Sequence, residues 1–77
     1  MNDPDLELDL RGLPCPLPML TLARRIVEVP PGGTARGVTD NPGAMADLPA
    51  WIRATGNALV SSEQDGDQLV FVVRRKG

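Results

Sequence analysis

The 77-residue chain has no histidine and no tyrosine, and its one cysteine is Cys15. Without an imidazole no general base stands beside a nucleophile, so protease-type and acyl-transfer catalysis lack their second member. A single thiol excludes an internal disulfide and C-x-x-C exchange. One thiol and no histidine make neither a structural nor a catalytic zinc site, and no metal or other cofactor is expected. The only aromatics are Trp51 and Phe71. No apolar run is long enough to cross a bilayer, and the acidic start does not read as a secretory leader. The expectation is a soluble, cytoplasmic protein with a reduced thiol and no membrane insertion. A formal charge of -2 argues against an electrostatic nucleic-acid binder, so direct nucleic acid binding is not expected.

Length bounds the rest. Residues 1–77 read as one domain, with residues 1–5 a polar, frayed leader. A domain of this size buries only about 60% of the surface its unfolded chain exposes. It has room for one thin core but not for an enclosed substrate cavity, so chemistry belongs on the surface. Eight glycines and eight prolines stay below the roughly 25–30% that signals disorder.

Leu6, Leu8 and Leu10 alternate with Glu7, Asp9 and Arg11, a period of two that predicts a half-buried strand. Gly12-Leu-Pro14 breaks it. A helix is predicted over 16–29, with Met19, Leu20, Leu22, Ala23, Ile26, Val27 and Val29 on one broad inner face. Pro30-Pro-Gly-Gly33 stops it. Thr34 to Thr39 reads as a second strand, weakened by Gly37. Pro49 conflicts with one continuous second helix, so the expectation is a short turn at 42–46 and then a helix over 48–55 capped by Asp47. Gly56-Asn57 supplies its left-handed cap. A third strand over 58–63 and a fourth over 68–74 flank a hairpin turn centred on Asp65-Gly66. Apolar residues on both faces place the fourth strand inside the sheet. Arg74-Arg-Lys76 reads as a charged tail. The order β-α-β-α-β-β gives an α/β two-layer sandwich, a four-stranded mixed sheet with two helices on one face.

The chemistry concentrates at Cys15, framed by Pro14, Pro16 and Pro18. Pro16 suits the first helical position, where a missing N–H costs nothing. Cys15 is then the N-cap or its neighbour. Free N–H groups and the positive end of the helix dipole favour a thiolate there. Pro18 presses Leu17 away from helical dihedrals, which predicts a stiff, irregular first turn with the sulfur outward. Leu17 falls on the polar side of the helix as an exposed apolar contact. A lone cysteine in a small domain is most often an inert, buried hydrophobe, but such a residue needs none of this proline framing. With no base, no second thiol and no metal, what remains is a group carrier.

These residues resemble a known family. A strand, then Asp9-Leu-Arg-Gly12, then Cys15-Pro-Leu-Pro18 opening a helix, is similar to the TusA/SirA-like sulfur carriers, marked by a C-P-x-P motif on a β-α-β-α-β-β domain. The resemblance runs from about Leu6 to Lys76 and includes Pro31-Gly32, Asp40-Asn-Pro42, Asp47-Leu-Pro49, Thr55-Gly-Asn57 and the closing Arg74-Arg-Lys76. It implies a persulfide on Cys15, received from a cysteine desulfurase or rhodanese-like donor and passed to an acceptor protein. Family outlets include thiolation of tRNA, molybdenum-enzyme maturation and sulfur oxidation. The resemblance makes the protein a sulfurtransferase in the sense of a carrier, not a stand-alone enzyme; a monomer is expected. Pro14, Ala23 and Asn41 depart from better-known members, which often carry Arg, Asn or Lys at the first position, Lys or Arg at the second and an acid at the third. Thiolation of tRNA is therefore not assumed.

Arg11 and Gly12 are read as shaping the loop into Cys15, Gly12 through backbone freedom and Arg11 through charge. Candidate partner contacts are Leu17, Arg24, Arg25 and Asp40. Such an arginine pair is most often a solvated helix face, and Asp40 most simply a local cap. Trp51 reads as core edge. Two rival readings are a non-catalytic regulatory or protein-interaction module on the same fold, and a thiol redox sensor, which lacks a resolving cysteine.

Overall fold

The computed structural model describes residues 3–77. The elements are β1 (Leu6–Asp9), α1 (Leu17–Arg25), a 3-10 turn (Ile26–Glu28), β2 (Thr34–Thr39), α2 (Pro42–Ala54), β3 (Ala58–Asp65) and β4 (Gln68–Arg74). The sheet order is β1-β2-β4-β3, with β1 parallel to β2 and β4 antiparallel to both its neighbours. The sheet is mixed and four-stranded, and the sandwich has the expected two layers. β4 is interior, as its two apolar faces require. Among the described residues no helix is long and apolar enough to cross a membrane.

One core lies between the helices and one sheet face. Leu8 and Leu10 meet Met19, Leu22, Ile26 and Val29 of the first helical segment, Leu48 and Ile52 of α2, and Phe71 and Val73 of β4. Leu6, Leu13, Trp51 and Leu59 pack at its margin. Gly37 is needed because the Phe71 ring lies over it. A Cβ there would stand 2.9 Å from Cε1 and 3.1 Å from Cε2. The glycine that weakens β2 as a strand thus makes room for the largest buried side chain.

The first helix is shorter and narrower than its pattern. It begins at Leu17, with Pro16 as N-cap, and tightens into the 3-10 turn before Val29, which is extended (φ -87, ψ 135). Val29 precedes Pro30, and the proline ring disfavours helical dihedrals there. Leu17 is nevertheless helical despite preceding Pro18. Of the seven residues on the predicted inner face, Met19, Leu22, Ile26 and Val29 are buried, whereas Leu20, Ala23 and Val27 are exposed. A two-layer fold covers one side of the helix, and no described element packs on the other.

The second helix is one piece. It runs through Pro49, and its N-cap is Asn41, whose Oδ1 accepts from the Ala44 N–H at 3.0 Å, not Asp47. Pro42 occupies a first-turn position. An interior proline costs about 3 kcal/mol through the lost hydrogen bond and ring clash. Ala44, Leu48 and Ile52, spaced four apart, are fully buried on the continuous helix. Burying the leucine and isoleucine side chains contributes about 1.5–3 kcal/mol each, enough to offset that cost.

Both chain ends are more tied than expected. Met1 and Asn2, part of the predicted frayed leader, lie outside the described residues. Asp5 is paired with Thr34, its N–H donating to the Thr34 carbonyl at 2.8 Å and its Oδ2 accepting from the Thr34 N–H at 3.0 Å. Arg75 is no free tail residue. Its N–H donates to the Gly33 carbonyl, and its guanidinium donates to the Val29 carbonyl at 2.6 Å and the Val27 carbonyl at 3.4 Å. Carbonyls left over where a helical segment ends need such donors. The Lys76 N–H donates to Asn57 Oδ1 at 2.8 Å. The hairpin loop is Gly66-Asp67, one residue later than expected. Asp65 pairs with Gln68, and Gly66 has φ +63, as a two-residue turn with glycine first requires.

Candidate functional site

β1 and β2 run parallel, so their carboxyl ends open onto the same edge of the sandwich. The loop after β1 carries Cys15, and the junction after β2 starts α2. The Leu10 N–H extends the ladder to the Val38 carbonyl at 2.8 Å. Beyond it, Gly12 turns the chain with φ +79, a region that favours glycine. Its N–H donates to Asp40 Oδ1 at 2.9 Å. Asp40 therefore ties the cysteine loop to the start of α2.

Pro14, Cys15, Pro16 and Leu17 form a tight turn closed by the Leu17 N–H donating to the Pro14 carbonyl at 2.8 Å, with a cis Cys15–Pro16 bond at its centre. The free Cys15 side chain is exposed at its apex. Pro18, in the first turn of α1, is buried and anchors it. The supply of helix-start donors is smaller than the helix pattern alone implies. Pro16 and Pro18 have no N–H, and Leu17 uses its own in the turn. The Met19 N–H has no backbone acceptor among the described residues.

A second helix start compensates. A Cβ built on Gly43 would lie 3.7 Å from the Cys15 Cβ, so the first turn of α2 abuts the cysteine. Cys15 thus lies between the start of α1 and the first turn of α2. Sequence reasoning missed Gly43, which lies far from Cys15 along the chain. The sequence predicts a turn at 42–46, where the helix in fact begins, and nothing local reveals its proximity to Cys15. Asn41, singled out as a departure from relatives, is occupied as the α2 cap.

The other singled-out residues separate into two groups. Arg11 grips Asp9 in a two-point ion pair, its Nε and Nη2 each 2.8 Å from a carboxylate oxygen, and its backbone N–H donates to Asp9 Oδ1 at 3.1 Å. Those hydrogen bonds hold the Asp9 carboxyl down to about 2 from an ordinary 3.8. The charge of Arg11 is therefore largely committed to Asp9. Leu17, Arg24 and Arg25 lie along the first helix. Arg25 is paired with Glu28, which lowers the Glu28 carboxyl and raises the guanidinium through their side-chain hydrogen bond.

Beside the turn lies an open cleft of about 310 Å³ lined by Gly12, Leu13, Pro14, Asp40, Asn41 and Pro42. A larger hollow of about 430 Å³ lies at the other end of β2, lined by residues including Asp5, Gly33, Val60 and Arg74. It holds no thiol, and its Asp5 carboxylate already accepts from Thr34. The candidate site is the cysteine turn. An exposed thiol without base, metal or second thiol can form and break bonds to sulfur, but it needs a partner to supply and remove them.

Comparison with known proteins agrees over nearly the whole chain. A model of the family described as Sulfurtransferase TusA matches residues 6–75. The chain is 33% identical over 75 residues to the sulfur carrier protein TusA of Allochromatium vinosum, covering 97% of this chain and 99% of that one. It is 31% identical over 72 residues to the putative sulfur carrier protein YrkF of Bacillus subtilis, covering 94% of this chain but 39% of that longer protein. The chain belongs to the TusA sulfurtransferase family.

Proposed function

We propose that the protein is a sulfur carrier that accepts sulfane sulfur as a persulfide on Cys15 and hands it to a second protein. The observation that carries this reading is the exposed Cys15 on a tight proline turn, in a chain with no histidine and no second thiol. Family membership and the names of the two relatives support it.

The chemistry is an exchange without net oxidation. The Cys15 thiolate attacks the outer sulfur of a donor persulfide, R–S–SH. A Cys15 Sγ–S bond forms as the donor S–S bond breaks, R–S⁻ leaves, and the proton stays on the transferred sulfur. Delivery repeats the step, with the acceptor thiolate attacking and Cys15 leaving as thiolate. The chain's part is positional. Pro14, Pro16 and Pro18 restrict the turn, Asp40 fixes its base through Gly12, and the first turn of α2 abuts the cysteine. Donor and acceptor are separate proteins, the donor being a cysteine desulfurase or a rhodanese-like protein. The relay ends in tRNA thiolation, cofactor maturation or sulfur metabolism.

The test is mass spectrometry of the protein after incubation with a cysteine desulfurase and cysteine, or with a rhodanese and thiosulfate. The expected result is a gain of one sulfur atom that is absent in Cys15→Ser. No gain from either protein donor would sink the proposal and favour a non-catalytic interaction module.

A further inference from the structure

The ionic groups are sorted along the strands. β1 and β2 end at the edge that carries Cys15. β4 runs back from it, with Leu69 paired to Thr39, so the turn between β3 and β4 lies at that same edge. Asp9, Asp40, Asp65 and Asp67 stand there, and Glu63 lies one row in, across β4 from Val38. Among the described residues the one basic group at this edge is Arg11, and Asp9 holds it. At the opposite edge β4 ends in Arg74, followed by Arg75 and Lys76; α2 closes near Arg53, and α1 on Arg24 and Arg25. The acids at that end are Asp3, Asp5 and Glu28, and Arg25 takes up Glu28. A formal charge of -2 thus conceals a negative cysteine edge and a positive far edge.

Asp40 brings this charge to the thiol. Its Oδ1 accepts from the Gly12 N–H at 2.9 Å, it lines the cleft together with Pro14, and it makes no ion pair among the described residues. Gly12 precedes Cys15 by three residues, which span at most about 11 Å. At low salt, with a Debye length of about 30 Å at 0.01 M, the carboxylate acts on whatever approaches the sulfur.

We propose that this acidic edge selects the sulfur donors of Cys15 by charge, with Asp40 as a specificity-determining residue. It favours neutral or cation-bearing sulfur donors and holds off inorganic anions such as polysulfide and thiosulfate. The proposal rests on the sulfur-carrier reading and names its donor class. In direct loading by such an anion, the Cys15 thiolate attacks the terminal sulfur and a Cys15 Sγ–S bond forms. A polysulfide shorter by one sulfur, or sulfite, leaves with two negative charges. Both approach and departure place a dianion beside Asp40.

The test uses three methanethiosulfonates whose tails carry an ammonium, no charge or a sulfonate. Each gives its thioalkyl group to the Cys15 thiolate and releases methanesulfinate. A change in thiolate population affects all three alike, so the cation-to-anion rate ratio reads the local charge. At 0.01 M salt the ratio for the full chain should exceed that of N-acetylcysteine amide, a thiol with no charged neighbour. Asp40→Asn, which keeps an acceptor for Gly12, should lower it about two- to threefold, the effect of one charge about 10–14 Å away. Asp65→Asn combined with Asp67→Asn, outside the cysteine loop, should lower it too, and decides the matter if Asp40→Asn unsettles that loop. Glu28→Gln makes the same change in net charge as Asp40→Asn, but about 16 Å along the helical segment from Leu17, and should lower the ratio least. At 1 M salt the differences should vanish. Polysulfide loading, taken relative to the uncharged reagent, should rise in Asp40→Asn. A full-chain ratio no higher than that of the reference thiol, or a Glu28→Gln shift as large as that of Asp40→Asn, would overturn the charge filter and leave the carrier reading intact. An unsubstituted chain that takes no sulfur from a cysteine desulfurase or from a rhodanese with thiosulfate would overturn the carrier reading, and the filter's role with it, whatever the ratio.

Discussion

The Gly12 backbone N–H donates to Asp40 Oδ1 at 2.9 Å, a bond between residues 28 positions apart. It joins the loop that carries Cys15 to the junction that starts α2. Removing the acceptor in Asp40→Ala should cost about 1 kcal/mol, the scale of one hydrogen bond to a charged group at an exposed site. Asp40→Asn keeps an oxygen acceptor and should cost less. The measurements are chemical denaturation and amide exchange at Gly12, which should quicken in Asp40→Ala. Sulfur loading of Cys15 should slow in the same variant, because the base of its turn is released. Unchanged Gly12 exchange in Asp40→Ala would show that the bond does not hold the loop in solution.

The neighbouring Asp9–Arg11 pair sets an acid limit on the same loop. The Arg11 side-chain hydrogen bonds, followed by its backbone N–H, lower Asp9 to about 2 from 3.8. A carboxyl depressed in the folded state contributes stability above its unfolded value and loses it as pH falls through the folded one. The contribution is therefore complete above pH 3.8 and fades toward about 2. Side-chain carboxyl NMR should give an Asp9 midpoint near 2, moving back toward 3.8 in Arg11→Ala. A midpoint of 3.8 in the unsubstituted chain would mean that the ion pair is not populated. Both groups are exposed, so the pair should weaken with salt.

What the sequence discloses and what it hides divide along physical lines. β2 and the interior place of β4 are legible because strand periodicity reports burial on one or two faces directly. The proline turn at Cys15 is legible because proline restricts the chain locally. The inner face of α1 is not, since Leu20 and Val27 satisfy helical spacing as well as Leu22 and Ile26 do, and only tertiary packing leaves them outside. Arg75 reads as a charged tail because nothing local says that it reaches the carbonyls of Val27 and Val29. Likewise, the proximity of Gly43 to Cys15 depends on the parallel pairing of β1 and β2, which no local pattern encodes.

The start of α2 turns on a contest between two capping residues that stability can decide. The interior Pro49 favours a break, with Asp47 as cap; the structure instead carries one helix capped by Asn41. Asn41→Ala removes the acceptor for the Ala44 N–H and should cost about 1 kcal/mol, the usual loss for an N-cap. Asn41→Asp retains a capping oxygen and should remain close to the parent. Asp47→Ala, on an exposed mid-helix position, should stay within about 0.5 kcal/mol. Denaturation midpoints rank the three variants, and Ala44 amide exchange should quicken only in Asn41→Ala. If Asp47→Ala proved the more damaging change, the helix would be broken at Pro49 in solution. Gly43 would then no longer be held in a helical first turn against Cys15, and the cysteine would keep only the donor-poor start of α1.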